Sequence, residues 1–309
     1  MQTTHSANHI QPDKYTIFSI CTLTIVFMGV YFILRAMPDA QCGFLHYEEI
    51  VHPDGSVEFC ATNHAGFLDL TRLNYPVEMK LSTDTPPVQG LTQKVTLDLF
   101  TSGGMAIAPH ELAITHTEKM HVMLIDPSLE DYHHVHPQPD GLDGRYTFEF
   151  MPQQGGAYQV FAEIVPLRTR RQVIASGLIE TKGVAEKMAF ERKTKDTVEG
   201  IQFILNDVPE SLRTNIDYRL ELDVLAADGD AAILEEIMGA KGHMVAFDAE
   251  KKGFAHMHPV DSVFEARSDN ENSGLAFLFN VLNPGWYRLF AQVQIDGNEL
   301  FGSFDLKVE

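Results

Sequence analysis

The chain has 309 residues, 44% of them hydrophobic, and a formal net charge of -20. This length and apolar content suffice for two ordinary packed domains plus a small segment, and they exclude wholesale disorder. The acidic balance excludes nucleic acid as a partner, which needs a basic surface, and suits an exported surface that mildly concentrates cations.

Residues 15–34 (YTIFSICTLTIVFMGVYFIL) form an uncharged run bracketed by Lys14 and Arg35. As a helix rising about 1.5 Å per residue it spans the roughly 30 Å hydrocarbon core of a bilayer. The run is long for a signal peptide, and RAMPDAQC after it is a poor small-x-small cleavage site. An uncleaved anchor over 15–37 is therefore preferred to a cleaved signal. The single basic residue on each flank leaves the positive-inside rule balanced. A large acidic region without another apolar span follows. Residues 1–14 are accordingly expected in the cytoplasm, with the bulk of the chain at the periplasmic or extracellular face.

Residues 38–87 form a small Cys- and His-containing segment, ending in the linker TDTPPVQG at 83–90. Cys21 lies in the apolar run, whereas Cys42 and Cys60 lie beyond it. In an oxidising compartment these two can pair. In the competing reading each stands four residues before a histidine, His46 and His64, and the four side chains assemble a metal site. Both readings stay open.

Short β-rich runs follow at 94–100 (KVTLDLF), 121–126, 145–150 (RYTFEF) and 157–164 (AYQVFAEI). They alternate or run apolar over strand lengths. The charged stretch AEKMAFERKTKDTVE at 185–199 reads as a linker or short helix. Strand patterns resume at 218–224, 243–248, 275–279 and 286–293. The fold expected is mainly β: an N-terminal transmembrane helix, then two tandem Ig-like or cupredoxin-like β-sandwiches at 88–184 and 199–309, joined by a linker at 185–198.

Two sandwiches follow from an internal repeat. His121, His134, His136 and Pro137 recur as His243, His256, His258 and Pro259, each displaced by 122 residues. Further on, Phe148, Gly156, Tyr158, Phe161 and Ala162 recur as Phe277, Gly285, Tyr287, Phe290 and Ala291, displaced by 129. The second copy thus carries seven extra residues after its His-x-His-Pro, as surface loops tolerate.

Strand side chains at i and i+2 share a face. His134 and His136 therefore project together, while Val135, like Met257 in the second copy, points to the core. DPSLED at 126–131 and DAEKKG at 248–253 read as hairpin turns. A hairpin centred between Ser128 and Leu129 sets His121 opposite His136, and one centred between Glu250 and Lys251 sets His243 opposite His258. Directly opposed Cβ atoms lie about 4.5–5.5 Å apart, so three imidazoles share one face in each copy. A one-residue slip would send the first histidine to the other face. Three convergent imidazoles hold copper or zinc and leave a fourth position open. Candidates for it are His116 in the first copy and Met238 at the equivalent place in the second, a thioether that favours Cu(I). In the structural alternative the histidines only bond carbonyls at a sandwich rim. His110 and His133, unrepeated, read as solvent-exposed, and Tyr158 and Tyr287 as core or tyrosine-corner residues.

THTEKMH at 115–121 with YHHVHP at 132–137 resembles the H-x-x-K-M-H…H-x-H-P pattern of exported proteins associated with heavy-metal efflux. GAKGHM at 239–244 and AHMHP at 255–259 look like its second-domain counterpart. The trailing Gly-x-Tyr-x-x-Phe runs are similar to those of the related YtkA-like domains, which are Ig-like sandwiches. The resemblance covers residues 90–309 and implies a place near copper or other metal transport.

The function expected is a non-enzymatic, membrane-anchored, extracytoplasmic transition-metal binder. Copper, as Cu(II) or Cu(I), comes first and zinc is the alternative, with a membrane metal transporter or efflux protein as partner. One rival is an Ig-like interaction module with structural histidines. Another is a metalloenzyme using the open position, for which Glu111 and Glu118 lie near the first copy but have no counterpart in the second. A blue-copper carrier needs a Cys thiolate, and neither copy contains cysteine.

Overall fold

The computed structural model describes residues 13–36, 47–51, 57–61, 66–73, 75–260 and 274–309. They fall into two units, Met1–Gly43 and Phe44–Glu309. The first contains helix α1, Lys14–Ala36. Asp13 caps it, accepting the Tyr15 and Thr16 amide protons at 2.9 and 2.8 Å. Apolar side chains surround α1 on every side and are exposed as far as Phe32. A helix of that kind belongs in an apolar medium. It is long and apolar enough to cross a membrane, as an anchor or a signal sequence does.

The second unit is built of antiparallel strands. β1 (Tyr47–Val51) and β2 (Val57–Ala61) pair as a hairpin. Next come β3 (Leu68–Asp69), β4 (Val77–Thr83), β5 (Gln93–Thr101), β6 (Met120–Ile125), β7 (Tyr132–Val135), β8 (Gln138–Pro139), β9 (Arg145–Phe150), β10 (Gly156–Ile164) and β11 (Val173–Thr181). The second half runs β12 (Lys195–Val198), β13 (Ile201–Asn206), β14 (Tyr218–Leu225), β15 (His243–Asp248), β16 (Gly253–Met257), β17 (Gly274–Phe279), β18 (Gly285–Ile295) and β19 (Asn298–Val308).

Four sheets stack as two sandwiches. Sheet β4-β5-β9-β8 faces β11-β10-β6-β7 across a core of Val95, Leu97, Tyr146, Phe148, Val122, Leu124 and Val160. Sheet β12-β13-β14-β17 faces β19-β18-β15-β16-β3 across Phe203, Leu222, Phe277, Met244, Leu289 and Phe304. Alternation along β6 sends Met120, Val122 and Leu124 inward and His121, Met123 and Ile125 outward. Those outward residues are buried too. Met123, Ile125, Tyr132 and Phe161 of the first sandwich pack against Val245, Phe247, Phe254 and Phe290 of the second, forming a third core between the two central sheets. The two histidine-bearing sheets thus meet face to face.

The stretch before residue 88 is not wholly a separate segment. β4 is an edge strand of the first sandwich, and β3 extends the second by pairing Leu68 with Phe254 and Asp69 with Gly253. At Gly253 a Cβ would lie 1.7 Å from the Leu68 carbonyl oxygen, so only glycine admits β3. The 185–198 stretch, read as linker or helix, contains no helix and ends in β12, paired to β13. Within it Phe190 stacks on Trp286, ring centroids 5.7 Å apart.

Candidate metal centre

Both histidine hairpins turn through the same device. Asp126 accepts backbone N–H bonds from Ser128, Glu130 and Asp131 at 2.8, 2.7 and 2.9 Å. Asp248, the equivalent residue, accepts from Glu250, Lys252 and Gly253 at 3.3, 2.8 and 3.3 Å. Leu129 and Lys251 take the left-handed conformation in the two loops (φ 63° and 52°). The resulting register pairs Val122 with Val135 and Met123 with His134. In the second hairpin it pairs Met244 with Met257 and Val245 with His256. Carried one residue further, it opposes His121 to His136 and His243 to His258, as the turn centres predict. Within each triad the nearest ring nitrogens all lie within 4.8 Å of one another.

The hydrogen bonds decide which nitrogens carry protons. His121 Nε2 donates to the Thr115 carbonyl (2.8 Å), which leaves its Nδ1 bare. His134 Nδ1 faces Gln292 Oε1 at 2.9 Å, and Gln292 is oriented because its amide donates to Glu299 Oε2 at 2.9 Å. His134 Nδ1 is therefore the donor and its Nε2 is bare. These two bare nitrogens stand 3.2 Å apart, and His136 Nε2 lies 3.2 Å from His121 Nδ1. A proton on His136 can serve one nitrogen and still leaves two lone pairs opposed. A tetrahedral ion with bonds of about 2.0–2.1 Å spaces its ligand atoms about 3.3 Å apart and relieves the clash.

The second triad follows the same logic. His243 Nε2 donates to the Ile237 carbonyl at 3.0 Å, and His256 Nδ1 donates to Glu163 Oε2 at 3.3 Å. Among the described residues, His243 Nδ1, His256 Nε2 and His258 Nδ1 are buried without a hydrogen-bond partner. Unsatisfied buried ring nitrogens are rare in folded proteins and mark a place where something else binds. Ring centroids lie 4.9–5.4 Å apart in the first triad and 4.7–5.7 Å apart in the second. Two imidazoles on one tetrahedral ion sit about 5 Å apart by the same bond lengths.

The sequence shows two separate triads; the interface brings them together. His134 lies 5.3 Å from His256 and His121 lies 5.6 Å from His256, centroid to centroid. Glu163 and Gln292 occupy equivalent positions on β10 and β18, opposite His121 and His243. Each reaches across to the central histidine of the other sandwich. Sequence reasoning missed both. The signal was an acid inside the apolar run VFAEIV at 160–165, followed 129 residues later by a glutamine at the matching place.

Burial, then repulsion from neighbouring imidazoles, keeps the rings neutral. His116 and His136 are lowered to about 3 and His121 to about 4. His134, His243 and His258 fall well below the ordinary value for the same reasons. Burial pushes the Glu163 carboxyl up, but its bond from His256 and the field of the surrounding histidines outweigh that and hold it low. Neutral imidazoles are the form a metal requires.

His116 is not a fourth ligand of its own triad. It stacks on His258 of the other sandwich, with centroids 3.6 Å apart and planes 18° from parallel, closer than two rings on one ion sit. The cause is a two-residue turn that closes between Thr115 and Glu118, with His116 and Thr117 both at positive φ (50° and 71°). Met238 and Gly239 form the same turn in the second sandwich (φ 52° and 74°). The turns meet, since a Cβ on Gly239 would lie 3.8 Å from Thr117 Cγ2. His133, expected at the surface, is half-buried and pairs with Asp131 at 3.0 Å. His110 is exposed. Tyr158 and Tyr287 are buried, and both make tyrosine-corner bonds to the backbone four residues upstream. Cys42, His46 and His64 lie outside the described residues, as does the side chain of Cys60, whose backbone pairs with Glu48.

A family model described as a domain of unknown function, DUF8832, matches residues 73–176 and 196–309, together well over half of the chain. The chain belongs to the DUF8832 family. One matched stretch falls on each sandwich, so both histidine triads lie in DUF8832 sequence. No curated protein matches the chain. Among solved structures, it is similar to the CARDB domain of a Pyrococcus furiosus protein in complex with di-metal ions, at 15% identity and TM-score 0.19, over 34% of this chain and 87% of that one. It is also similar to a membrane-anchored protein, so described provisionally, from Corynebacterium diphtheriae, at 10% identity and TM-score 0.22, over 74% of this chain and 57% of that one. A third likeness is to trypsin-activated alpha-2-macroglobulin from Escherichia coli, at 10% identity and TM-score 0.25, over 85% of this chain and 19% of that one. At such TM-scores none of them bears on the DUF8832 histidine cluster.

Proposed function

We propose that this protein is a membrane-anchored, extracytoplasmic binder of transition-metal ions, copper first and zinc as the alternative, acting in metal handling, efflux or sensing beside a membrane metal transporter. The observation that carries this reading is the pair of bare, mutually facing nitrogens, His121 Nδ1 and His134 Nε2, with the orphaned His243 Nδ1 and His256 Nε2 at the same repeat positions. A purely structural network would place a proton between such atoms. The apolar helix supports tethering. The resemblance to efflux-associated His-x-His-Pro proteins supports copper, and so does an all-nitrogen donor set, which suits copper and zinc over magnesium or calcium.

The full chain, purified in detergent without chelator or affinity tag, is expected to carry copper or zinc by elemental analysis. It is expected to take up two ions per chain on titration. Replacing all six triad histidines by Ala is expected to abolish uptake. Absence of binding, or binding indifferent to those six changes, leaves the interaction-module reading in its place.

A further inference from the structure

We propose that the two triads form a single binuclear centre across the sandwich interface, and that Glu163 sets its filling order, second triad first. This rests on the metal-binding reading above and concerns how the two sites differ and communicate.

Proximity is the first argument. Rings from different triads (5.3 and 5.6 Å) are no farther apart than rings within one triad, which reach 5.7 Å. An ion sits about 3 Å from the centroid of each ring that binds it, so two ions here lie within about 12 Å of one another at the outside. They share one buried pocket between sheets, where charges are weakly screened.

Asymmetry is the second. The pseudo-equivalent residues Glu163 and Gln292 make the same kind of bond, each to the non-ligating nitrogen of the central histidine across the interface. One is a carboxylate and the other an amide. A carboxylate behind a metal-bound imidazole raises its basicity and offsets the charge of the ion, and removing such a partner typically weakens binding about 10–100-fold. Among the described residues, Glu163 is the one acid hydrogen-bonded to a triad histidine. Glu299, behind Gln292, is exposed and reaches His134 only through the neutral amide. The first ion therefore goes to His243, His256 and His258. The second enters a triad that lacks a carboxylate and is repelled by the ion already bound.

The test uses the full chain in detergent, titrated with Cu(II) under electron paramagnetic resonance and with Zn(II) by calorimetry. Uptake is expected in two steps separated by at least about 10-fold in affinity, with dipolar broadening appearing only as the second Cu(II) enters. H243A removes the tight step and H121A the weak one. E163Q, nearly isosteric, is expected to weaken the tight step by about 10–100-fold, and Q292E to tighten the weak one. Circular dichroism reports whether each variant keeps its fold, and Q292E remains informative should E163Q lose it. Two independent sites of equal affinity, a spectrum without dipolar coupling at two equivalents, or unchanged steps in both variants overturns the binuclear proposal while leaving metal binding intact. Failure of either triad to bind any ion overturns the metal-binding reading itself.

Discussion

Acidifying the metal-free protein is the most direct probe of the buried imidazoles. His116, His121 and His136 take protons at about 3 to 4 in the folded chain and at about 6.5 when unfolded. For a base whose folded pKa is depressed, stability is fully present above the unfolded value and is lost as pH falls through the window below it. Well inside that window each such ring removes about 1.4 kcal/mol per pH unit. Three rings remove about 4 kcal/mol per unit, and His134, His243 and His258, lowered in the same direction, steepen the loss. A domain typically holds about 5–15 kcal/mol in reserve, so apo protein is expected to open its sandwich interface between about pH 6.5 and 5. The single tryptophan, Trp286, sits on β18 against Phe190 and reports the event by fluorescence. The assay is urea unfolding of chelator-treated protein at half-unit pH steps, repeated with Zn(II) in excess, which is expected to shift the loss to lower pH because the ion competes with protons. Apo stability that is flat from pH 6.5 to 5 refutes the reasoning.

Three further outcomes follow from particular contacts. Asp126→Ala strands three backbone N–H groups in a buried loop, and at about 1–3 kcal/mol each the loss is expected to appear both in urea unfolding and as weaker metal binding, because the loop sets the register. Gly253→Ala drives a Cβ into the Leu68 carbonyl and is expected to release β3, seen as faster amide exchange at Phe67 and Leu70, whose backbone bonds flank it. Saturating metal at about 100 times its dissociation constant is expected to add about 2.7 kcal/mol per site, so chelation lowers the thermal midpoint, and the six-histidine-to-alanine variant shows no such shift.

Much of the site was legible in the chain. The 122-residue repeat, the His-x-His alternation and the turn residues at 126–131 and 248–253 define two strand pairs, and symmetric turns set their register. Those are local properties, carried by the period of two along a strand and by side chains such as Asp126 that close a loop a few residues away. Alternation also separates Val122 and Val135 from His121 and His134, but it is silent on what the second face meets. Only the tertiary structure seats one histidine face upon the other, carries Glu163 and Gln292 across to the opposite triads, and lays His116 on His258. It also divides the stretch before residue 88 between the sandwiches through β3 and β4. These contacts join residues dozens to more than a hundred positions apart, and they depend on the burial of Phe161, Phe247, Phe254 and Phe290 between two sheets. Hydrophobic burial has no direction, so a pattern along one strand cannot name the surface that will cover it.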